Sequence, residues 1–253
     1  MNIHFLASGS DKSRKAYRLF TKMYGQASLD NADVIVALSG DGMVLRAFHE
    51  NFNRKNIPIY GMNRGRVGFL TNEFQIDGLL ERLARAHQLK INPLVVEAVD
   101  VNGDHFQSIA INEVYLMRDT SQTSKIRLSV DGIIRIKELV CDGVIIASPI
   151  GSTAYNYSAD GPVLPLNCGL LSVTALSAFR PRKWKGALLK SSSVIDLDII
   201  DPNRRPVNVV ADYVEFKKIT HANIHQAKNK SVTLLIDDLN ILHEKMMKEQ
   251  FFG

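Results

Sequence analysis

One stretch limits the possible folds of this chain more than any other. Val34 to Leu38 is a continuous aliphatic run that ends in Ser39-Gly40-Asp41-Gly42, and Met43, Val44, Ala47 and Phe48 then mark one face of a helix. A strand apolar on both faces belongs in a parallel sheet, and a tight turn straight into a helix is how such a strand begins its crossover. The same alternation surrounds it. Residues 2–7 and Ile57 to Tyr60 read as further strands, and residues 12–24 read as an amphipathic helix. Ile76 to His87 reads as another, with Leu79, Leu80, Leu83 and His87 at three- and four-residue spacing. Residues 1–92 are therefore expected to form a Rossmann-like α/β N-terminal domain.

After Pro93 the pattern changes. Asn102-Gly103 and Asp131-Gly132 sit as two-residue hairpin turns between alternating segments, and short strands are expected at 142–148, 194–200, 207–211 and 231–236. A β-rich C-terminal domain over 93–237 follows. Residues 238–253, helical in pattern from 239 to 249, form a terminal segment that can pack back on the first domain. At 253 residues the chain suits two moderate domains, each with its own core. It carries no internal repeat and no low-complexity linker, so the boundary is a change of pattern and not a flexible tether.

Composition narrows the function classes. With 45% hydrophobic and 23% charged residues the chain is neither disordered nor fibrous. The net charge of +5 favours anionic partners, but Lys and Arg are scattered, with only short clusters such as Arg180-Pro181-Arg182-Lys183. That pattern suits a phosphate-bearing small molecule and not a nucleic acid. Cys141 and Cys168 are too few for a disulfide scaffold and lack the spacing of a zinc site. His221 and His225 lie four apart without a third ligand, so no metal site is read. No segment approaches a membrane span of about 18 apolar residues, and no signal pattern precedes the strand-like Asn2 to Leu6; a cytoplasmic protein with no membrane partner is expected.

The chemistry concentrates at strand ends, where open α/β sheets bind their ligands. Gly40 and Gly42 are expected to let the backbone turn sharply and bring N–H groups near phosphate oxygens at a helix N-terminus. Asp41 is out of place there, because a carboxylate repels phosphate unless it accepts a proton from an attacking hydroxyl or holds Mg²⁺; the alternative is that it caps the helix. The Walker loop and the Gly-x-Gly-x-x-Gly fingerprint are both missing at this strand end. A second Gly-containing segment, Gly61 to Leu70, follows the next strand, and its Arg64 or Arg66 could neutralise phosphate. Further on, the strand around Ile145 empties into Gly151-Ser152-Thr153-Ala154-Tyr155-Asn156-Tyr157-Ser158. Such a loop offers hydroxyls, backbone groups and an aromatic ring to a ligand with sugars and flat heterocycles, although a turn-rich connection would use the same residues.

Together these segments resemble the NAD kinase family, in particular its compact bacterial members. The family's Gly-Gly-Asp-Gly turn corresponds to Ser39 to Gly42, and its Asn-x-Gly-x-Leu-Gly-Phe-Leu segment to Asn63 to Leu70. Its Asn-Glu pair corresponds to Asn112-Glu113, and its Gly-Ser-Thr-Ala-Tyr loop to Gly151 to Tyr155. The resemblance implies transfer of the γ-phosphate of ATP, or of another phosphoryl donor, to the 2′-hydroxyl of the adenosine ribose of NAD. Asp41 would be the proton acceptor. Gly40, Gly42, Asn63, Gly68 and Phe69 would line the site from the first domain, and Asn112 and Glu113 would hydrogen-bond the dinucleotide. Asp142, Thr153, Ala154, Tyr155, Asn156, Ser158, Ser177 and Asp212 would complete the pocket. Mg²⁺ would arrive with ATP, and a homodimer or homotetramer is expected. Ser39, Ile150, Asp160 and Tyr213 depart from the family's usual residues. A lipid kinase sharing the Gly-Gly-Asp-Gly turn is the nearest rival, and a catalytically silent dinucleotide sensor is a second.

Overall fold

The structure, a computed structural model, describes residues 1–65 and 68–252. The chain divides into one unit of residues 1–91 and 230–253 and a second unit of residues 92–229.

The first unit opens with β1 (Ile3–Ala7), α1 (Asp11–Tyr24), β2 (Val34–Ser39), α2 (Asp41–Asn51), β3 (Ile59–Asn63), α3 (Leu79–Arg85) and β4 (His87–Ile91). Ser10 caps α1 by accepting the Ser13 N–H, and Gly25 ends it at φ 78°. Helix α2 buries Val44, Ala47, Phe48 and Asn51, one face at i, i+3, i+4 and i+7. Along β2 the side chains alternate between two cores. Val34, Val36 and Leu38 join Phe5, Phe20 and Tyr60 on one side of the sheet, and Ile35 and Ala37 are equally buried on the other. The helix expected over Ile76 to His87 is shorter than its periodicity implied. Gly78 stands at φ 72° before Leu79, and His87 already belongs to a strand that pairs with Ile236.

The second unit contains β5 (Leu94–Asp100), β6 (His105–Ala110), β7 (Glu113–Arg118), β8 (Ser124–Val130), β9 (Ile133–Cys141), β10 (Gly143–Ala147) and a one-turn α4 (Tyr155–Ser158). It continues with β11 (Leu170–Leu176), β12 (Gly186–Lys190), β13 (Ile195–Ile199), β14 (Val207–Ala211), β15 (Val214–Phe216) and β16 (Ile219–Gln226). The strands form two six-stranded sheets, in the orders β12-β11-β10-β7-β14-β15 and β6-β5-β16-β13-β8-β9. One core joins them: Val114, Val144 and Val173 of the first sheet cluster with Val96, Leu128 and Ile224 of the second. Both expected hairpins are present, and Asp131 and Gly132 both take positive φ, as a two-residue primed turn requires. At Asn102-Gly103 only Gly103 does, in a longer connection from Asp100 to His105, so the two-residue turn expected there is corrected.

The chain then returns to the first unit with β17 (Val232–Ile236) and α5 (Leu239–Phe252). The expected β-rich span of 93–237 is therefore too long at its C-terminal end. Strand β17 lies parallel to β3 and antiparallel to β4 in a sheet ordered β1-β2-β3-β17-β4. Its texture gives the reason: all five residues are buried, as in a central parallel-sheet strand, with no solvent-facing alternation. No helix of the described residues is long and apolar enough to cross a membrane.

Candidate active site

In the first unit the turn after β2 points a carboxylate into the protein. Gly40 is the N-cap of α2, and no side chain caps that helix. The Asp41 carboxylate reaches across to a strap formed by residues 68–71 instead, where Oδ2 accepts the Phe69 N–H at 2.7 Å and Oδ1 accepts the Leu70 N–H at 2.9 Å. Burial pushes its carboxyl above the ordinary Asp value, while the two N–H bonds, the Lys245 charge and the Thr71 hydroxyl pull in the opposite direction. Lys245, from α5, donates to the carbonyls of Gly68 at 2.7 Å and Thr71 at 3.1 Å.

Two glycines make this approach possible. A Cβ on Gly68 would stand 2.0 Å from Thr71 Oγ1 and 3.0 Å from Asp41 Oδ1, and one on Gly61 would stand 2.8 Å from both Leu70 O and Val44 Cγ2. The motif glycines behave differently. Neither Gly40 nor Gly42 has a positive φ, and a Cβ on either would meet no described atom within 4 Å. The sharp-turn role expected of them is thus corrected: the fold itself does not demand glycine there, and the space over the turn is open. Ser39 is an ordinary strand residue paired with Asn63, which explains why it can stand in place of glycine.

Asn63 shapes the next turn by accepting the Gly65 N–H at 2.7 Å. The Arg64 guanidinium lies 3.9 Å from the centre of the Phe74 ring, packed on an aromatic face. Arg66 and Val67 lie outside the described residues. Asn72 was not singled out from the sequence, yet it is buried and ties β3 to the end of β17. Its Nδ2 donates to Gly61 O and Leu235 O, and its Oδ1 accepts the Asp237 N–H.

In the second unit three predicted segments meet. Asp212, at φ 53°, accepts the Ile111 N–H at 2.8 Å and the Asn112 N–H at 2.9 Å. Ser148 Oγ donates to Ile111 O at 2.6 Å, and the Ser148 N–H donates to Asn112 O. Gly151 packs so closely that a Cβ there would stand 2.1 Å from Asn112 O. This cluster fixes the start of β7, where Glu113 is only 6% exposed. Burial, reinforced by the Asp212 charge and opposed by the Tyr155 N–H, pushes the Glu113 carboxyl up to about 8.

Tyr155 packs edge-on against Tyr115 with ring centres 5.1 Å apart. It lines a cleft of about 460 Å³ together with Ser158, Ser177, Lys183, Trp184 and Lys185. Of the last three only Lys183 was read from the sequence, as part of a short basic cluster; the tryptophan between two lysines was the available signal for the other two. Thr153 and Ala154 are half-buried at the start of the same loop. Asp160 and Ser177 both hold left-handed backbone, a conformation that Asp tolerates better than most residues other than glycine.

Three predicted ligand contacts have structural partners. Asn156 is fully buried: its Nδ2 donates to Ser152 O and Pro162 O, and its Oδ1 accepts from Thr174. It therefore holds the loop's shape from within. Asp142 accepts from Arg118 Nε at 2.6 Å. Asp212 positions the Asn112-Glu113 pair, as described above. Each makes the cluster rigid through hydrogen bonds that a side chain reaching for ligand would have to share.

Comparison with known proteins accounts for this combination. Residues 5–88 match the family model of the ATP-NAD kinase N-terminal domain, and residues 111–224 match that of the ATP-NAD kinase C-terminal domain. The chain is 46% identical to NAD kinase from Brucella suis over 98% of its own length and 96% of that protein. It is 44% identical to NAD kinase from Rhizobium meliloti, covering 99% and 97% of the two chains. Among solved structures, yeast NADH kinase complexed with NADH superposes with a TM-score of 0.86 at 18% identity, over 100% of this chain and 88% of that one. The Archaeoglobus fulgidus NAD kinase in complex with ATP superposes with a TM-score of 0.80 at 22% identity over all of both chains. The full-length identity to the bacterial enzymes, with both halves matched by the family's models, places the chain in the NAD kinase family.

Proposed function

We propose that the chain transfers the γ-phosphate of ATP to the 2′-hydroxyl of the adenosine ribose of NAD, giving NADP, and that Asp41 takes the proton of that hydroxyl. The observation that carries this reading is the Asp41 carboxylate at a strand-to-helix turn, fixed by the Phe69 and Leu70 N–H groups. Those bonds occupy one lone-pair site on each oxygen, so acceptor capacity remains for a hydroxyl. Burial raises its basicity, which suits a general base working near neutral pH. The phosphates would lie over Gly40 and Gly42, where the turn is open and the N-terminus of α2 favours negative charge. Phosphoryl transfer needs positioning and charge neutralisation more than covalent help, and this site offers them.

The second unit would recognise the dinucleotide through Asn112, Glu113, Thr153, Ala154, Tyr155, Ser158 and Ser177, with Asp142, Asn156 and Asp212 completing the pocket while also bracing it. Among the described residues no group of three or more His, Cys, Asp or Glu side chains could hold a metal ion. Mg²⁺ would enter with the triphosphate substrate, whose oxygens suit a hard divalent cation. We read the working form as a cytoplasmic homodimer or homotetramer, because the edge strands β9 and β12 expose Ile133, Ile134 and Leu188.

The test is purified protein incubated with NAD, ATP and Mg²⁺, with NADP read by a strictly NADP-dependent dehydrogenase. One NADP per ADP is expected. No NADP with ATP, other triphosphates or polyphosphate as donor would overturn the reading.

A further inference from the structure

We propose that Lys245 is a positioning residue for Asp41, holding the strap that holds the carboxylate. The proposal rests on the reading of Asp41 as the proton acceptor. Between residues 68 and 71 the strap presents its polar groups in two opposed directions. The N–H groups of Phe69 and Leu70 point to Asp41, and the carbonyls of the flanking Gly68 and Thr71 point to the Lys245 ammonium. One cation therefore bridges both ends of the peptide segment whose middle cradles the base.

Docking of α5 does not need this contact, because Leu242 and Met246 are only 2% and 4% exposed and already anchor the helix. A lysine placed among them, partly buried, loses hydration that its two carbonyl bonds and the nearby carboxylate replace. Burial accordingly lowers its pKa while Asp41 raises it, and its charge in turn lowers that of Asp41. The other charged groups on the same cleft are Glu73, Arg82, Asp237 and Asp238. Arg82 is paired with Asp237, so among the described residues of this cleft Lys245 is the cation whose charge reaches Asp41. A neutral side chain at 245 would free the strap and remove that charge together.

The experiment compares Lys245→Met, which keeps the aliphatic stem, with Lys245→Arg, which keeps the cation, reading kcat across pH and thermal unfolding. For Lys245→Met we expect kcat to fall about 10-fold or more, as for a base displaced from its reacting geometry. The acid limb of its pH profile should move up by about one pH unit as Asp41 loses its neighbouring charge. Lys245→Arg should restore the position of the limb. The proposal is overturned if Lys245→Met leaves both kcat and the limb unchanged, if Met and Arg behave alike, or if Lys245→Met fails to fold, which would make the lysine an anchor of α5. Asp41→Asn measured beside them separates the two claims. Retained turnover in Asp41→Asn removes the reading of Asp41 itself, whereas an inactive Asp41→Asn with an unmoved Lys245→Met profile removes only the role of Lys245.

Discussion

The α/β unit and the β-rich unit use the same device on opposite terms. In each, one aspartate accepts two consecutive backbone N–H groups: Asp41 takes those of Phe69 and Leu70, and Asp212 takes those of Ile111 and Asn112. Around Asp212 the backbone is sealed, with Ser148 bonded to both neighbouring carbonyls and Gly151 pressed against Asn112. Beside Asp41 the turn stays open over Gly40 and Gly42. The comparison teaches that two N–H bonds do not by themselves assign a carboxylate its role. The surrounding space separates them: Asp212 lies within a closed backbone cluster, whereas Asp41, which we propose as the base, adjoins a turn that is open over Gly40 and Gly42.

The contrast can be broken most directly at Gly151. Its substitution by alanine would drive a Cβ into the Asn112 backbone and should destabilise the protein by about 3 kcal/mol or more, lowering Tm by roughly 6–12 °C. An unchanged melting curve would show that this cluster is not the sealed brace described. Asp212→Ala comes next, since it leaves the Ile111 and Asn112 N–H groups without their charged acceptor. A loss of about 2–4 kcal/mol in denaturant unfolding is expected, with KM for NAD rising more than kcat falls.

Glu113 sharpens the comparison through pH. With its folded pKa raised to about 8, the folded protein holds a proton that the unfolded chain releases near the ordinary Glu value. Its stability contribution is therefore present below about pH 4.5 and is lost as pH rises to about 8. Glu113→Gln, which mimics the protonated acid, should remove that decline, so the stability gap between variant and parent should grow by on the order of 3 kcal/mol from pH 5 to pH 8. A constant gap would mean that Glu113 is ionised in the folded state. The smallest stability effects belong to Gly40→Ala and Gly42→Ala. Unfolding should shift by less than about 0.5 kcal/mol because the added methyl meets no described atom beyond its own chain neighbours, while KM for ATP rises. A large loss of stability at either position would erase the difference between the two turns.

Much of this was legible in the sequence because it depends on local pattern. The buried run of β2, the glycine turn and the helical face of α2 are all written within 18 residues, from Val34 to Asn51. The hairpin at Asp131-Gly132 is equally local, since a primed turn needs residues that accept positive φ. What escaped was set by distance along the chain. Strand β17 reads as one more β-run until the sheet order places it beside β3. Asn156 and Asp212 carry the residue types of ligand contacts, and the backbone and side-chain partners that they also hold appear only in space. Lys245 and Asn72 lie far from Asp41 and from each other in sequence, so no spacing rule could have joined them to the turn.

The central claim, that Asp41 acts as a base and not as a structural brace, is tested most directly by Asp41→Asn, with NAD affinity and NADP formation measured on the same preparation. The account predicts that kcat falls about 10²–10⁴-fold while the Kd for NAD stays within about 3-fold of the parent. Turnover within about 10-fold of the parent, or a loss of NAD binding as large as the loss of rate, would contradict it.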